Sequence, residues 1–147
     1  NGCIRVYSGL MDMMNDNEVE AVIGHEMGHV ALGHVKKGMQ VALGTNAVRA
    51  AAASAGGVVG NLSQSQLGAL GEKLVNSQFS QRQESEADDY SYDLLRKRGI
   101  SPIGLATSFE KLAKLEEGRQ SSMFDDHPAS AERAQHVRDR LAADGIK

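Results

Sequence analysis

The chain has 147 residues, with 16 basic against 19 acidic side chains and a formal net charge of −3. This length is enough for one domain to bury roughly two thirds of its unfolded surface in a single core, so neither a metal nor a disulfide is needed merely to fold it. The charge balance offers no basic surface for nucleic acid, and three Tyr, three Phe and no Trp argue against a base-stacking surface.

The sequence begins at Asn1 without Met or a signal peptide, and we expect it to be a processed or trimmed piece of a longer protein. Residues Ile4 to Tyr7 alternate apolar and polar side chains, which predicts one strand, too little for a sheet by itself. Residues 4–8 are a candidate exposed sheet edge. This edge either binds an extended substrate through backbone hydrogen bonds or belongs to an ordinary structural strand. Cys3 either pairs with a cysteine outside these residues or is a small buried strand residue.

A helix is predicted from about residue 16 to about residue 37. Asn15 and Glu18 match a capping box just before the first apolar positions. Small residues recur along one face and remove the side chains that would hold a neighbouring helix away: Gly24, Gly28 and Ala31. We therefore expect another helix to pack very close to this face.

The same helix contains the sequence His25-Glu26-Met27-Gly28-His29. Two histidines four residues apart lie roughly 40° from each other around a helix that turns about 100° per residue, so both imidazoles can reach one metal ion beside Glu26. This is the pattern of a zinc peptidase, which needs two neutral imidazoles, a third protein ligand and an open position for water. Histidines at this spacing also occur in cores and on surfaces, so the hypothesis requires a third ligand.

His34 raises the question of a second zinc pattern, that of the metzincins. There a Gly and a His stand three and six residues after the second ligand, whereas this chain has Leu32 and Val35 at those positions. On a continuous helix His34 lies about 180° from His25 and faces away from the metal. We interpret His34 as a surface or packing histidine.

Residues 38–62 are rich in Gly, Ala and Val. A membrane span is not predicted, because Arg49 falls in the middle of the only apolar window of sufficient length, where it costs at least about 2.5–3.5 kcal/mol. We expect a soluble, mobile connector with one or two helical pieces.

The third ligand is predicted on a second polar helix, from about residue 64 to Arg98. Glu84 and Asp88 are four residues apart and share a face of this helix. Glu84 is the candidate zinc ligand, and Asp88 can accept a hydrogen bond from the free ring nitrogen of His25 or His29, which fixes the tautomer of that ring. The alternative is a solvated acidic stripe without a metal.

Two further helices complete a mainly α fold. Ser101 is the predicted N-cap of a helix over residues 102–117, with Pro102 in its first position. Its apolar stripe indicates that this helix packs in the core and takes no part in the chemistry. A polar loop over residues 118–129 then leads to a final helix from about residue 130 to residue 143.

The two motifs together resemble the metallopeptidase family that includes HtpX and the CAAX prenyl endoprotease. The resemblance covers nearly the whole chain, from residues 1–10 through both motifs to His127-Pro128 and Arg133, and within the family it points to the soluble bacterial lipoprotein branch. It implies a single helical gluzincin-type catalytic domain over residues 1–147. A short β-strand or hairpin remnant is expected at the N-terminus, with the upstream part of the protein missing.

By this resemblance, one zinc ion per chain has the ligands His25, His29 and Glu84, in agreement with the geometry above. Glu26 is then the general base. The resemblance also implies that His127 lies near the cleft, either as a transition-state donor or substrate gate, or as the fourth zinc ligand of a resting state. Arg133 is an anchor or a donor.

The function implied is that of a zinc-dependent metalloendopeptidase that hydrolyses peptide bonds of unfolded or damaged bacterial envelope proteins. The resemblance implies a location at the periplasmic face of the outer membrane, with attachment only through a missing lipidated N-terminus. The alternative is a zinc-containing chaperone or assembly factor on a peptidase scaffold, although the presence of Glu26 argues for an active enzyme. A purely structural zinc site is disfavoured because such sites favour Cys, and Cys3 lies outside both motifs.

Overall fold

The computed structural model describes residues 3–41, 43–44, 79–116, 127 and 131–146. The helices are α1 (Ser8–Met13), α2 (Asp16–Ala31), α3 (Gln81–Lys97), α4 (Ile103–Glu116) and α5 (Ala131–Ala143), and residues 34–41 form a further helical segment. The chain divides into two compact units, one made of Asn1–Leu32 and Gln78–Lys147 and the other of Gly33–Ser77. The predicted mainly α fold is confirmed, and α1 to α5 all lie in the first unit.

The strand predicted over residues 4–7 is not formed. Residues 3–7 have no regular secondary structure. A strand is defined by hydrogen bonds to a neighbouring strand, and the described ranges contain no second strand to supply them. Instead, Tyr7 is the N-cap of α1, a short helix that the sequence analysis did not predict.

Helix α2 begins as predicted and ends earlier. The Asn15 side chain accepts a hydrogen bond from Glu18 N and the Glu18 carboxylate accepts one from Asn15 N, both at 2.9 Å, which confirms the capping box. The helix ends at Ala31 because Gly33 has a φ of +66°, a left-handed conformation that stops the helix at little cost for glycine. The predicted continuation to residue 37 is therefore wrong.

His34 follows this break and is buried, so of the two alternatives, surface or packing, the surface position is excluded. Because α2 does not continue through Gly33, the direction of the His34 side chain does not follow from the helical phase of His25. His34 belongs to the unit Gly33–Ser77. Most of the predicted connector at residues 38–62 lies outside the described residues.

Helices α2 and α3 are in close contact, as the small residues of α2 predicted. A Cβ atom on Gly24 would lie 2.6 Å from Ser91 Oγ, and one on Gly28 would lie 3.0 Å from the Cα and the carbonyl oxygen of Ala87. Ser91 Oγ donates a hydrogen bond of 2.7 Å to the carbonyl oxygen of Ala21 in α2. Ala31 is exposed, so the third small residue does not take part in this contact.

The other helices close the core around α2 and α3. The predicted part of the second helix at residues 64–78 lies outside the described residues, and α3 begins after Ser80, which forms a capping box with Gln83. The main cluster of buried apolar side chains draws on α2, α3, α4 and α5 and contains Ala21, Tyr92, Leu95, Leu105, Ala106, Phe109, Val137 and Leu141. All eight side chains of this cluster come from these four helices.

A buried carboxylate joins the start of α2 to α4. Glu18 is 1% exposed, and Lys111 of α4 donates to its Oε2 at 2.6 Å. Burial acts to raise the pKa of Glu18, but the hydrogen bonds from Lys111 and from Asn15 N outweigh it and hold the pKa below its ordinary value of 4.5. The carboxylate therefore fixes both the entry to α2 and the position of α4.

Gly28→Ala is expected to lower the free energy of unfolding by about 1–3 kcal/mol, because its Cβ meets backbone atoms of Ala87 that cannot move independently. Gly9→Ala is the control, since nothing lies within 4 Å of its Cβ in α1 and alanine is favoured in a helix by roughly 0.5–1 kcal/mol. Urea denaturation of both variants measures the difference. Equal stability of the two variants would contradict the close contact.

Glu18→Gln is expected to cost about 1.5–3 kcal/mol at pH 7, since it removes a charged hydrogen-bond partner of Lys111. Because the folded pKa of Glu18 is lowered, its contribution is complete above pH 4.5 and is lost as the pH falls through the folded value. The stability difference from the wild type should therefore shrink below pH 4.5. Glu20→Gln, at an exposed position of α2, should show no such change.

Candidate metal centre

Two adjacent helices, and one residue from the segment between α4 and α5, bring together four side chains that can bind a metal. Helix α2 supplies His25 and His29, α3 supplies Glu84, and His127 lies between α4 and α5. One donor atom from each lies within 4.8 Å of every other. The close contact of α2 with α3 is what brings the carboxylate of Glu84 to the two imidazoles.

Five distances among the ring nitrogens and the two oxygens of Glu84 are close to those between the ligand atoms of a tetrahedral zinc ion. Four ligand atoms about 2.0–2.1 Å from such an ion lie roughly 3.3–3.4 Å from one another. His25 Nε2 lies 3.1 Å from His29 Nε2 and 3.5 Å from Glu84 Oε2, and His29 Nε2 lies 3.3 Å from Glu84 Oε1. His127 Nδ1 lies 3.4 Å from His25 Nε2 and 3.1 Å from Glu84 Oε1.

The site is buried on one side and accessible on the other. His25, His29 and Glu84 are 6%, 2% and 0% exposed. Glu26 and His127 are only partly buried, and His127 Nε2 lies 3.5 Å from Glu26 Oε1. The accessible side of the donor cluster is thus the side that carries Glu26.

Asp88 contacts His25, one of the two partners that the sequence analysis allowed. Its Oδ1 lies 2.8 Å from His25 Nδ1. With Nδ1 used in this way, the other ring nitrogen, Nε2, faces the donor cluster. Asp88 and Glu84 are both buried, which excludes the alternative of a solvated acidic stripe.

Arg133 of α5 is buried behind the two carboxylates. Its Nε and Nη2 donate to Asp88 at 2.7 and 2.8 Å, and its Nη1 lies 2.6 Å from Glu84 Oε2. Its guanidinium carbon lies 4.7 Å from the centre of the Phe109 ring. Of the two predicted alternatives, anchor or donor, this geometry supports the anchor, because the guanidinium binds the carboxylates from the buried side.

These contacts set the charges of the site. Burial acts to raise the pKa of Glu84, but hydrogen bonds to the three histidines, His127 first, and the charge of Arg133 hold it well below its ordinary range. Burial acts to lower the pKa of His25, but hydrogen bonds to Asp88 and Glu84 raise it to about 9. A metal ion binds the neutral imidazole, so it competes with the proton that these contacts favour on His25.

Phe79 belongs to the site and was missed by the sequence analysis. Its ring centre lies 4.1 Å from that of His29 and 5.1 Å from that of His127. It directly precedes the N-cap Ser80, and a single aromatic residue before a polar helix gives no signal of its contacts. Its packing restricts the orientation of both imidazoles.

Comparison with known proteins gave one family and several relatives. The sequence model of peptidase family M48 matches residues 1–141. The chain is 92% identical over 147 residues to metalloprotease LoiP of Escherichia coli, covering all of this chain and 58% of that protein. It is 59% identical over 143 residues to metalloprotease YcaL of the same organism, covering 97% and 56%.

A more distant relative is the mitochondrial metalloendopeptidase OMA1 of Arabidopsis thaliana, 30% identical over 134 residues, which cover 90% of this chain and 26% of that protein. The chain thus spans little more than half the length of the bacterial relatives. No solved structure gave a significant match.

Arg133→Met is expected to weaken zinc binding about 10- to 100-fold, because it leaves Glu84 and Asp88 close together without their shared cation. The free energy of unfolding should fall by about 3–5 kcal/mol, as for other broken buried ion pairs. Titration of zinc against a chelator and urea denaturation measure the two effects.

The control is Arg138→Met in the same helix, whose partner Glu110 lies at the surface. It should change the unfolding free energy by less than about 1 kcal/mol and leave zinc binding unaltered. Zinc binding of Arg133→Met equal to that of Arg138→Met would refute the anchor role.

Proposed function

The chain belongs to peptidase family M48, and from this premise we propose that it is a zinc-dependent metalloendopeptidase with a single catalytic domain over residues 1–147. One zinc ion per chain is held by His25, His29 and Glu84. The observation that carries the proposal is the convergence of these three buried donors beside the accessible carboxylate of Glu26. Two imidazoles and one carboxylate are also the ligand set of known catalytic zinc sites.

The protein side chains have separate tasks in this reaction. When bound, zinc supplies a Lewis acid that polarises the scissile carbonyl and lowers the pKa of water. Glu26 accepts a proton from the attacking water and delivers it to the leaving amine, for which it has to stay within hydrogen-bond reach without binding the metal. Asp88 and Arg133 keep His25 and Glu84 in place while the substrate enters and the products leave.

Of the roles proposed for His127, its position supports that of a fourth zinc ligand in the resting state. Its Nδ1 has the spacing of a fourth zinc ligand, the position that a catalytic site keeps open for water. His127 is partly exposed and comes from outside the helices, so it is the member of the cluster best able to leave. Its Nε2 lies 3.5 Å from Glu26 Oε1, so the ring is also near the carboxylate beside which a donor to a developing oxyanion would act.

The same four-donor spacing favours the alternative function. Zinc sites with four protein ligands are usually structural, so a chain in which His127 never leaves is a zinc-containing chaperone or assembly factor with little proteolysis. The two functions differ in one property, cleavage by the zinc-loaded chain.

We further propose that the substrates are polypeptides, namely unfolded or damaged bacterial envelope proteins, met at the periplasmic face of the outer membrane. The support is the resemblance to the bacterial lipoprotein branch and the similarity to two metalloproteases of Escherichia coli. Attachment to the membrane through a lipidated upstream segment belongs to the same proposal. Among the described residues, no helix combines the length and the apolar character needed to cross a membrane.

Glu26→Gln is expected to retain one zinc ion per chain and to lose casein cleavage by at least about 100-fold, since it keeps the ligands and removes the base. His25→Ala and His29→Ala should lose both zinc and cleavage. Zinc content by atomic absorption and cleavage by gel electrophoresis measure the two properties.

Glu20→Gln, exposed on the same helix, is the matched control and should keep wild-type zinc and cleavage. Stoichiometric zinc without cleavage in the wild type would support the chaperone or assembly factor. Cleavage that survives Glu26→Gln would remove Glu26 from the role of base.

A further inference from the structure

The ring of Phe79 lies against two of the four donors of the metal centre, His29 and His127. We infer that Phe79 is a positioning residue: it holds the imidazole of His127 among the donor atoms and so sets how often the fourth position opens. The inference deepens the proposed function and rests on it, because it concerns the exchange of His127 for water or substrate.

Phe79 contacts the ring of His127 in a different way from the two histidines of α2. The rings of His25 and His29 stand at 73° and 75° to that of His127, with ring centres 5.3 and 4.9 Å away. The ring of Phe79 is tilted from it by 34°, with the centres 5.1 Å apart. Of these three rings, Phe79 is therefore the closest to parallel with His127, and it carries no donor atom. It can hold the imidazole without competing for the metal.

This contact restrains the direction of the imidazole as well as its position. His127 Nδ1 lies 3.1 Å from Glu84 Oε1, and His127 Nε2 lies 3.5 Å from Glu26 Oε1. Rotation of the ring would move Nδ1 out of the donor cluster. Offset-stacked aromatic rings have centres roughly 4.5–7 Å apart, and Phe79 lies within this range of His127. Its ring therefore opposes the rotation.

Phe79 itself is held by parts of the structure that are already fixed. It directly precedes Ser80, the N-cap of α3, whose carbonyl oxygen accepts a hydrogen bond of 3.0 Å from Glu84 N. Its ring centre lies 4.1 Å from that of His29, which is 2% exposed. His127, by contrast, lies outside the helices. The position of the buried ligands is thus passed to His127 through Phe79.

Removal of the ring should change two properties in opposite senses. A centre that His127 leaves more often has three protein ligands for more of the time, so it should lose its metal faster. The same centre is open to substrate for more of the time, and the apparent KM falls as the open fraction rises. A variant that merely damages the site would lose metal faster and bind substrate less well. The two properties together therefore distinguish positioning from damage.

Phe79→Leu keeps an apolar side chain and removes the ring. The rate at which a chelator removes zinc should rise about 2- to 10-fold, as for the loss of one aromatic pair, and KM for an internally quenched peptide should fall. Phe79→Tyr keeps the ring and is the matched control, with wild-type values expected. Faster zinc loss in both variants, or in neither, would overturn the role of the ring. If Phe79→Leu does not fold, Phe79→Met repeats the test.

A double-mutant cycle identifies the histidine through which Phe79 acts. In a His127→Ala background, Phe79→Leu should leave the rate of zinc loss unchanged, because the imidazole that the ring positions has been removed. An equal acceleration with and without His127 would mean that Phe79 acts through His29 or through folding. That result would overturn the inference.

The cobalt(II)-substituted chain gives a signal that needs no turnover. Cobalt(II) absorbs visible light according to its ligands, which zinc with its filled d shell does not. The spectrum of Phe79→Leu should shift from that of the wild type toward that of His127→Ala, and the spectrum of Phe79→Tyr should match the wild type. An unchanged spectrum in Phe79→Leu would count against any effect of Phe79 on the fourth ligand.

These measurements separate the inference from the proposed function. Absence of cleavage by the wild type overturns the peptidase, and the rate of zinc loss and the cobalt spectrum then decide the role of Phe79 alone. Wild-type zinc loss and cobalt spectrum in a Phe79→Leu chain that still cleaves the peptide overturn the positioning role and leave the peptidase intact.

Discussion

The structure depends on one constraint, the close approach of α2 and α3. A metal centre shared between two helices requires side chains as short as His and Glu to meet, so the helix axes cannot be separated by large residues. Gly24 and Gly28 remove those residues on α2, and Ala87 and Ser91 face them on α3. Helix stability is given up at two positions so that three donor atoms can converge.

The second requirement is that the buried charges balance. Two carboxylates four residues apart on α3 repel each other, and both are removed from water. Arg133 reaches both of them from α5. Its cost of burial is in turn reduced by the ring of Phe109 in the core. Arg133 therefore links the donor cluster to the hydrophobic core.

Local patterns predicted the parts of this arrangement that are encoded locally. The capping box at Asn15 and Glu18, the helical phase of His25 and His29, and the small face of α2 each depend on residues within two turns. The structure agrees with the first two, and with Gly24 and Gly28 of the third but not with Ala31. The end of α2 at Gly33 was missed, although a glycine after a helix is a known stop signal. Arg133 lies 45 residues from its partner Asp88 in the sequence, and no periodicity reports such a pairing.

The asymmetry of the centre decides what it can do. Zinc held by buried donors on all sides is structural, because neither water nor substrate can reach it. Here the donors from α2 and α3 are buried, whereas His127 and Glu26 occupy the accessible side, where both line a cavity. His25, His29 and Glu84 come from helices that core packing holds in place, whereas His127 lies outside the helices. In the proposed peptidase, this division lets His127 give up its place to water while the other three ligands remain, which catalysis requires and a structural site does not.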